Sequence, residues 1–94
     1  MTSKPPSNSQ ALNTKVLHAS LAALSSNGGT MKRPDVRVWV LRNTEFTDWE
    51  LESSGADGPP RWWKYLGYAT LGASRAGFME KNRGTWTISE QGSL

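Results

Sequence analysis

The chain has no cysteine and a single histidine, His18. No disulfide framework, thiolate zinc site or histidine cluster can be built from these residues, so stability has to come from packing alone. No stretch approaches the roughly 18 consecutive apolar residues that a membrane span needs, and residues 1–10 lack the apolar run of a signal peptide. A cytoplasmic protein without membrane association is expected. Also missing are a glycine-rich phosphate loop closed by Lys-Ser/Thr, a Gly-x-Ser-x-Gly elbow and any histidine paired with a nucleophile. The acidic residues Glu45, Asp48, Glu50, Glu52 and Asp57 crowd one segment that reads as a surface loop, where carboxylates do not converge for acid–base work. No catalytic residue, cofactor or metal is expected.

What is present fits one small domain. With 94 residues the chain supports a modest core, and its hydrophobic fraction of 36% is low. Five tryptophans, at 39, 49, 62, 63 and 86, compensate with large apolar areas. The net charge of +3 is only mildly basic, but its distribution is uneven. Every charge from Glu45 to Asp57 is negative, whereas Arg61, Lys64, Arg75, Lys81 and Arg83 face only Glu80 in the span 61–83. Such separation points one surface at an anion and turns another away from it.

Residues 1–9 combine Lys4, Pro5 and Pro6 with serine and asparagine and read as a flexible arm preceding a domain over 10–94. From about Ser9 to Ser26, Leu12, Val16, Ala19 and Ala23 recur at helical spacing, with Lys15, His18 and Ala22 opposite. Asn27-Gly28-Gly29 ends that helix. The segment Met31–Asn43 admits two readings: Val36, Val38 and Val40 alternate as in a strand, while Val36, Trp39 and Val40 share a helical face. Pro34 suits the first turn of a helix and favours the second reading. Thr47-Asp48-Trp49-Glu50 has the form of a capping box, and residues 53–60 are a loop ending in a diproline. Over Arg61–Ala76 a helical wheel gathers Trp62, Leu66, Ala69, Ala73 and Ala76 on one stripe and Lys64, Tyr68, Leu71 and Arg75 on the other, with Arg61 nearby. Gly77 stops it. Phe78–Lys81 and Thr85–Ser89 then read as strands joined by a tight turn at Asn82-Arg83-Gly84. The expected fold is mainly α (α+β): a winged helix-turn-helix, three helices followed by a two-stranded β-hairpin wing.

In that arrangement Arg61, Lys64, Tyr68 and Arg75 form a face suited to a major groove, since arginine and lysine bind phosphates, arginine reaches guanine edges and an aromatic ring packs on sugar or a thymine methyl. Lys81, Asn82 and Arg83 at the turn would carry positive charge to the backbone or minor groove beside it. Lys32, Arg33 and Arg37 open or line the second helix, whose free N–H groups suit a phosphate. Trp39, Trp62 and Trp86 belong to the core by their spacing. Trp49 and Trp63 lie off it and offer contacts to a protein partner or a second copy of the chain. The expected partner is double-stranded DNA, with a protein-interaction or homodimerising module as the alternative.

The run Tyr68-Ala69, Ala76-Gly77-Phe78-Met79-Glu80 and Gly84-Thr85-Trp86-Thr87-Ile88-Ser89-Glu90-Gln91-Gly92 resembles the closing signature of the N-terminal winged-helix domain of Mrr-type restriction endonuclease proteins. In that family an aromatic-Ala pair lies within the recognition helix, Ala-Gly and an apolar pair end it, and Gly-x-Trp-x-Ile closes the wing. The resemblance implies a DNA-binding domain, sensing sequence or modification, that precedes a C-terminal nuclease domain. It extends more loosely back to the first helix. Family members usually carry leucine where Ala73 stands and basic or polar residues where Thr70, Leu71 and Gly72 stand, so the contacts of this helix do not carry over. The aromatic at Tyr68 is often a packing residue in the family, whereas the wheel turns it outward.

Overall fold

Leu12, Val16, Ala19, Ala23 and Leu24 all fall on one side of a helix and are all buried, which fixes α1, Asn8–Ser26. The computed structural model describes residues 8–53, 55–56 and 58–89. Asn8 and Ser9 thus belong to the helix and not to the expected arm, whose residues 1–7 lie outside the described residues. His18 is exposed, as its position on the wheel requires. The Gly29 N–H donates to the Leu24 carbonyl at 2.7 Å, and Gly28 and Gly29 both take positive φ to bring the chain round.

The ambiguous segment divides. Thr30–Lys32 forms β1, and Arg33–Asn43 forms α2 with Pro34 in its first turn. Val36 and Val40 are buried one turn apart, while Val38 points the other way and is 51% exposed, so the valine alternation belongs to a helix. Trp39, expected in the core, is only partly buried against it.

The capping box is real: Thr47 Oγ1 accepts from the Glu50 N–H at 3.2 Å and Glu50 Oε1 accepts from the Thr47 N–H at 2.9 Å, opening the single-turn α3, Asp48–Leu51. This segment is not the all-surface acidic loop expected. Glu50 is 4% exposed, and its Oε1 also receives Lys15 Nζ at 2.6 Å, so Lys15 spans from α1 to α3 and is not a solvated residue. Burial alone would raise the Glu50 carboxyl; the hydrogen bonds from Lys15 and Thr47 and the lysine charge outweigh it and hold the group below its usual range. Phe46 stacks on Trp62 at 5.1 Å between ring centroids and carries this turn onto the core.

Arg61–Arg75 forms α4, ended by Gly77 at positive φ. Met79–Asn82 (β2) and Thr85–Ile88 (β3) follow as a hairpin. Arg83 and Gly84 both have positive φ, 50° and 83°, the geometry of a type I′ turn whose twist matches that of the strands. The expected two-stranded ribbon is in fact an antiparallel sheet of three strands in the order β1-β3-β2, with Met31 opposite Trp86 and Lys81 opposite Trp86 on the other edge. The fold is therefore α+β. Its core is Leu12, Val16, Leu24, Val36, Val40, Trp62, Leu66, Met79 and Trp86, drawn from α1, α2, α4 and the hairpin. No helix among the described residues is long and apolar enough to cross a membrane.

Candidate functional site

Burial along α4 follows the helical period. Trp62, Leu66, Ala69, Thr70 and Ala73 are buried, while Lys64, Tyr68, Leu71 and Arg75 are exposed. At about 100° per residue the four outward residues fall within a sector about 60° wide, forming a ridge along the helix. Tyr68 is 58% and Leu71 44% exposed, so apolar surface lies between the two cations. The wheel's outward placement of Tyr68 holds, and its ring meets Tyr65 edge-on at 6.5 Å.

Gly67 and Gly72 stand about 40° beyond either edge of this ridge on the same wheel. Neither has a left-handed backbone, and a methyl group at either position would meet nothing within 4 Å. Each lowers helix stability by about 1 kcal/mol relative to alanine, and nothing in the packing asks for it. The ridge consequently stands between two grooves. One is lined by Arg37, Pro59, Trp63, Lys64, Gly67 and Tyr68. The other, toward α1, includes Gln10, Asn13, Leu17, Tyr68, Gly72 and Ala76.

The first groove continues into a cationic flank. The Arg37 guanidinium lies 4.4 Å from the Trp63 ring centroid, and Trp63 meets Trp62 edge-on at 5.8 Å, so the arginine rests on a chain of rings leading to the core. Trp63 Nε1 is buried without a hydrogen-bond partner among the described residues. Lys81 is half-buried: its Nζ donates to Thr70 Oγ1 of α4 at 3.0 Å and sits 4.7 Å from the Trp86 ring centroid. Thr70 in turn donates to the Leu66 carbonyl at 2.7 Å. Burial, and secondarily the charge of Arg33, lowers the pKa of both Arg37 and Lys81, which places Arg33 within electrostatic reach of both. The Arg33 N–H donates to the Gly84 carbonyl at 2.7 Å, tying the start of α2 to the hairpin turn where Asn82 and Arg83 are exposed. Lys32 is exposed at the end of β1, opposite Thr85.

The candidate residues therefore do not all converge. Lys64, Tyr68 and Arg75 share the ridge, and Arg33 and Lys81 lie on its flank, with Lys32, Asn82 and Arg83 at the adjoining edge of the sheet. Arg61 lines a surface pocket with Lys64 and Tyr68, but its guanidinium is engaged elsewhere. Its Nη1 donates to the Trp49 carbonyl, reaches Glu52 Oε2 at 3.4 Å, and its guanidinium lies 4.4 Å from the Trp49 ring centroid, all on the α3 side. The sequence hides this because the segment 53–60 between them is a loop, closed by the Ser53–Pro60 bridge and the Arg61 N–H to Glu52 carbonyl bond of 2.7 Å. Residues added by the structure are the two glycines; Leu71, already on the outward stripe of the wheel, joins the site by its exposure, and Arg37 joins it through Trp63, its spacing of four from Arg33 being the signal available. Trp49 and Trp63, the rings assigned to partner contacts, are both partly buried against the core.

Among the described residues the ion pairs are Lys15–Glu50 and Arg61–Glu52, both on the side of α3. Arg33, Arg37, Lys64, Arg75, Lys81 and Arg83 have no ion-pair partner among the described residues. No group of three or more His, Asp or Glu side chains among them could hold a metal. No family model, curated protein or solved structure matches the chain.

Proposed function

We propose that the chain is a double-stranded DNA-binding winged-helix module, with α4 as its recognition helix, serving as the target-recognition part of a restriction system whose nuclease lies on a separate domain. The observation that carries this reading is the gathering of unpaired cations on and beside the α4 ridge, while the carboxylates that pair do so on the side of α3. Phosphates attract such a surface without sequence preference, and the exposed side chains of the ridge supply groups for base edges. The order α1-β1-α2-α3-α4-β2-β3 and the pairing of β1 with β3 support the winged-helix assignment. The likeness of Tyr68–Gly92 to the Mrr-type domain supports the restriction setting.

The test is the anisotropy of a labelled duplex titrated at low and high salt with the wild type and with Lys64→Ala/Arg75→Ala. Binding is expected to weaken steeply with salt, and the double variant, both of whose substitutions fall on exposed positions, is expected to bind at least tenfold more weakly with an unchanged Tm. Normal binding by that variant would overturn the assignment of the recognition face. A second reading rests on α2, where Val38 and Leu41 are each 51% exposed on the outer side of the helix: a contact with a protein partner or a second copy. Salt-insensitive self-association in sedimentation, without DNA binding, would favour it.

A further inference from the structure

An α-helix with its side chains is about 10–12 Å across, and the major groove of B-DNA is about 12 Å wide, so a helix enters the groove with little room to spare at its shoulders. On α4 the two shoulders beside the ridge each carry one position without a side chain. Gly67 and Gly72 leave the helix narrow where the groove walls would press, and no internal contact or backbone angle accounts for either glycine. Between them the ridge presents Tyr68 and Leu71, large side chains whose outer halves are left in water. Within the major groove the one apolar group is the C5-methyl of thymine.

Resting on the DNA-binding reading above, we infer that α4 is a narrowed helix that seats deeply in the major groove, with Gly67 and Gly72 against its walls and the Leu71–Tyr68 ridge reading thymine methyl groups. Lys64 and Arg75, at the two ends of the ridge, hold phosphates on either side and set the register. The glycines trade helix stability for depth of insertion, and Leu71 is the residue that determines specificity.

Duplexes are selected from a randomised pool with the wild-type protein, and the retained sequence is remade with deoxyuridine in place of thymidine. Removing each contacted methyl is expected to weaken binding about fourfold, the worth of one buried carbon, and Leu71→Ala is expected to discriminate between the two duplexes less than the wild type does. Gly67→Ala and Gly72→Ala should each raise Tm by about 4–8 °C and weaken binding at least fivefold. Equal affinity of the wild type for the two duplexes, or stabilised glycine variants that bind as well as the wild type, would overturn the inference while leaving DNA binding intact. A pool from which nothing is retained would sink the DNA-binding reading itself, and this inference with it. Because Tm is read on every variant, a folding defect is separated from a lost contact.

Discussion

Arg83 occupies the first central position of a type I′ turn with φ at 50°, a region that costs an ordinary L-residue roughly 1–2 kcal/mol and that asparagine or glycine tolerates far better. An arginine there is a poor choice for the hairpin. It is also fully outside the core, at the tip that the Arg33 N–H anchors beside the α2 helix start. Strain kept at an exposed cation fits a contact made by the side chain and not by the turn. Arg83→Asn is therefore expected to raise Tm by several degrees, corresponding to about 1 kcal/mol, and to lower affinity for duplex DNA by several-fold. Thermal melting and anisotropy on the same preparation check both halves. A variant that melts higher and binds unchanged would show that the arginine touches nothing.

At the scale of elements, α3 is a single turn, too short to persist by itself, and it is held from three sides. Lys15 grips Glu50 from α1, Phe46 stacks on Trp62, and Arg61 reaches back from the first residue of α4 to the Trp49 carbonyl. Arg61 is thus a brace at the point where α4 begins. Arg61→Met is expected to lower Tm, with a loss of about 1–2 kcal/mol for the charged hydrogen bond to a backbone carbonyl and the stacking on Trp49. DNA affinity measured below the melting range should stay within about twofold, because a single exposed phosphate contact is not lost. A large loss of binding at unchanged Tm would instead return Arg61 to the interface. Spacing made α1, α4 and the hairpin legible in the sequence, because Leu12, Val16, Trp62, Leu66 and Trp86 repeat with periods long enough to count. One element and one residue were not legible for the opposite reason. Thr30–Lys32 is three residues with no pattern of its own and is a strand only because β3 lies beside it, and Arg61 looks on the wheel like one more cation of the ridge. Which cations are free is a property of tertiary pairing, and Glu52 and Trp49 reach Arg61 across a loop whose length says nothing about where it returns. That the missing side chains of Gly67 and Gly72 face open space is likewise a property of the folded chain, set by where α1 and α2 lie.

Across the whole molecule a net charge of +3 is too small to hold a polyanion by bulk attraction, so affinity has to come from how the charge is laid out. Pairing removes Lys15 and Arg61 from the account on the α3 side and leaves Arg33, Arg37, Lys64, Arg75 and Arg83 around the ridge. If each of these five neutralises one phosphate, the plot of log binding constant against log salt has a slope of about −4 to −5. Lys81, engaged with Thr70 and Trp86, adds to the potential without releasing a further counterion. The Lys64→Ala/Arg75→Ala variant should flatten the slope by about two, and Arg61→Met should leave it unchanged. The pair of measurements separates two explanations that affinity at one salt concentration confuses. A variant that loses a phosphate contact changes slope and intercept together, whereas one that merely tilts or loosens α4 shifts the intercept alone. A wild-type slope near −1 would mean that the cations do not meet the duplex as a set, and the segregation of charge across this fold would then serve some surface other than DNA.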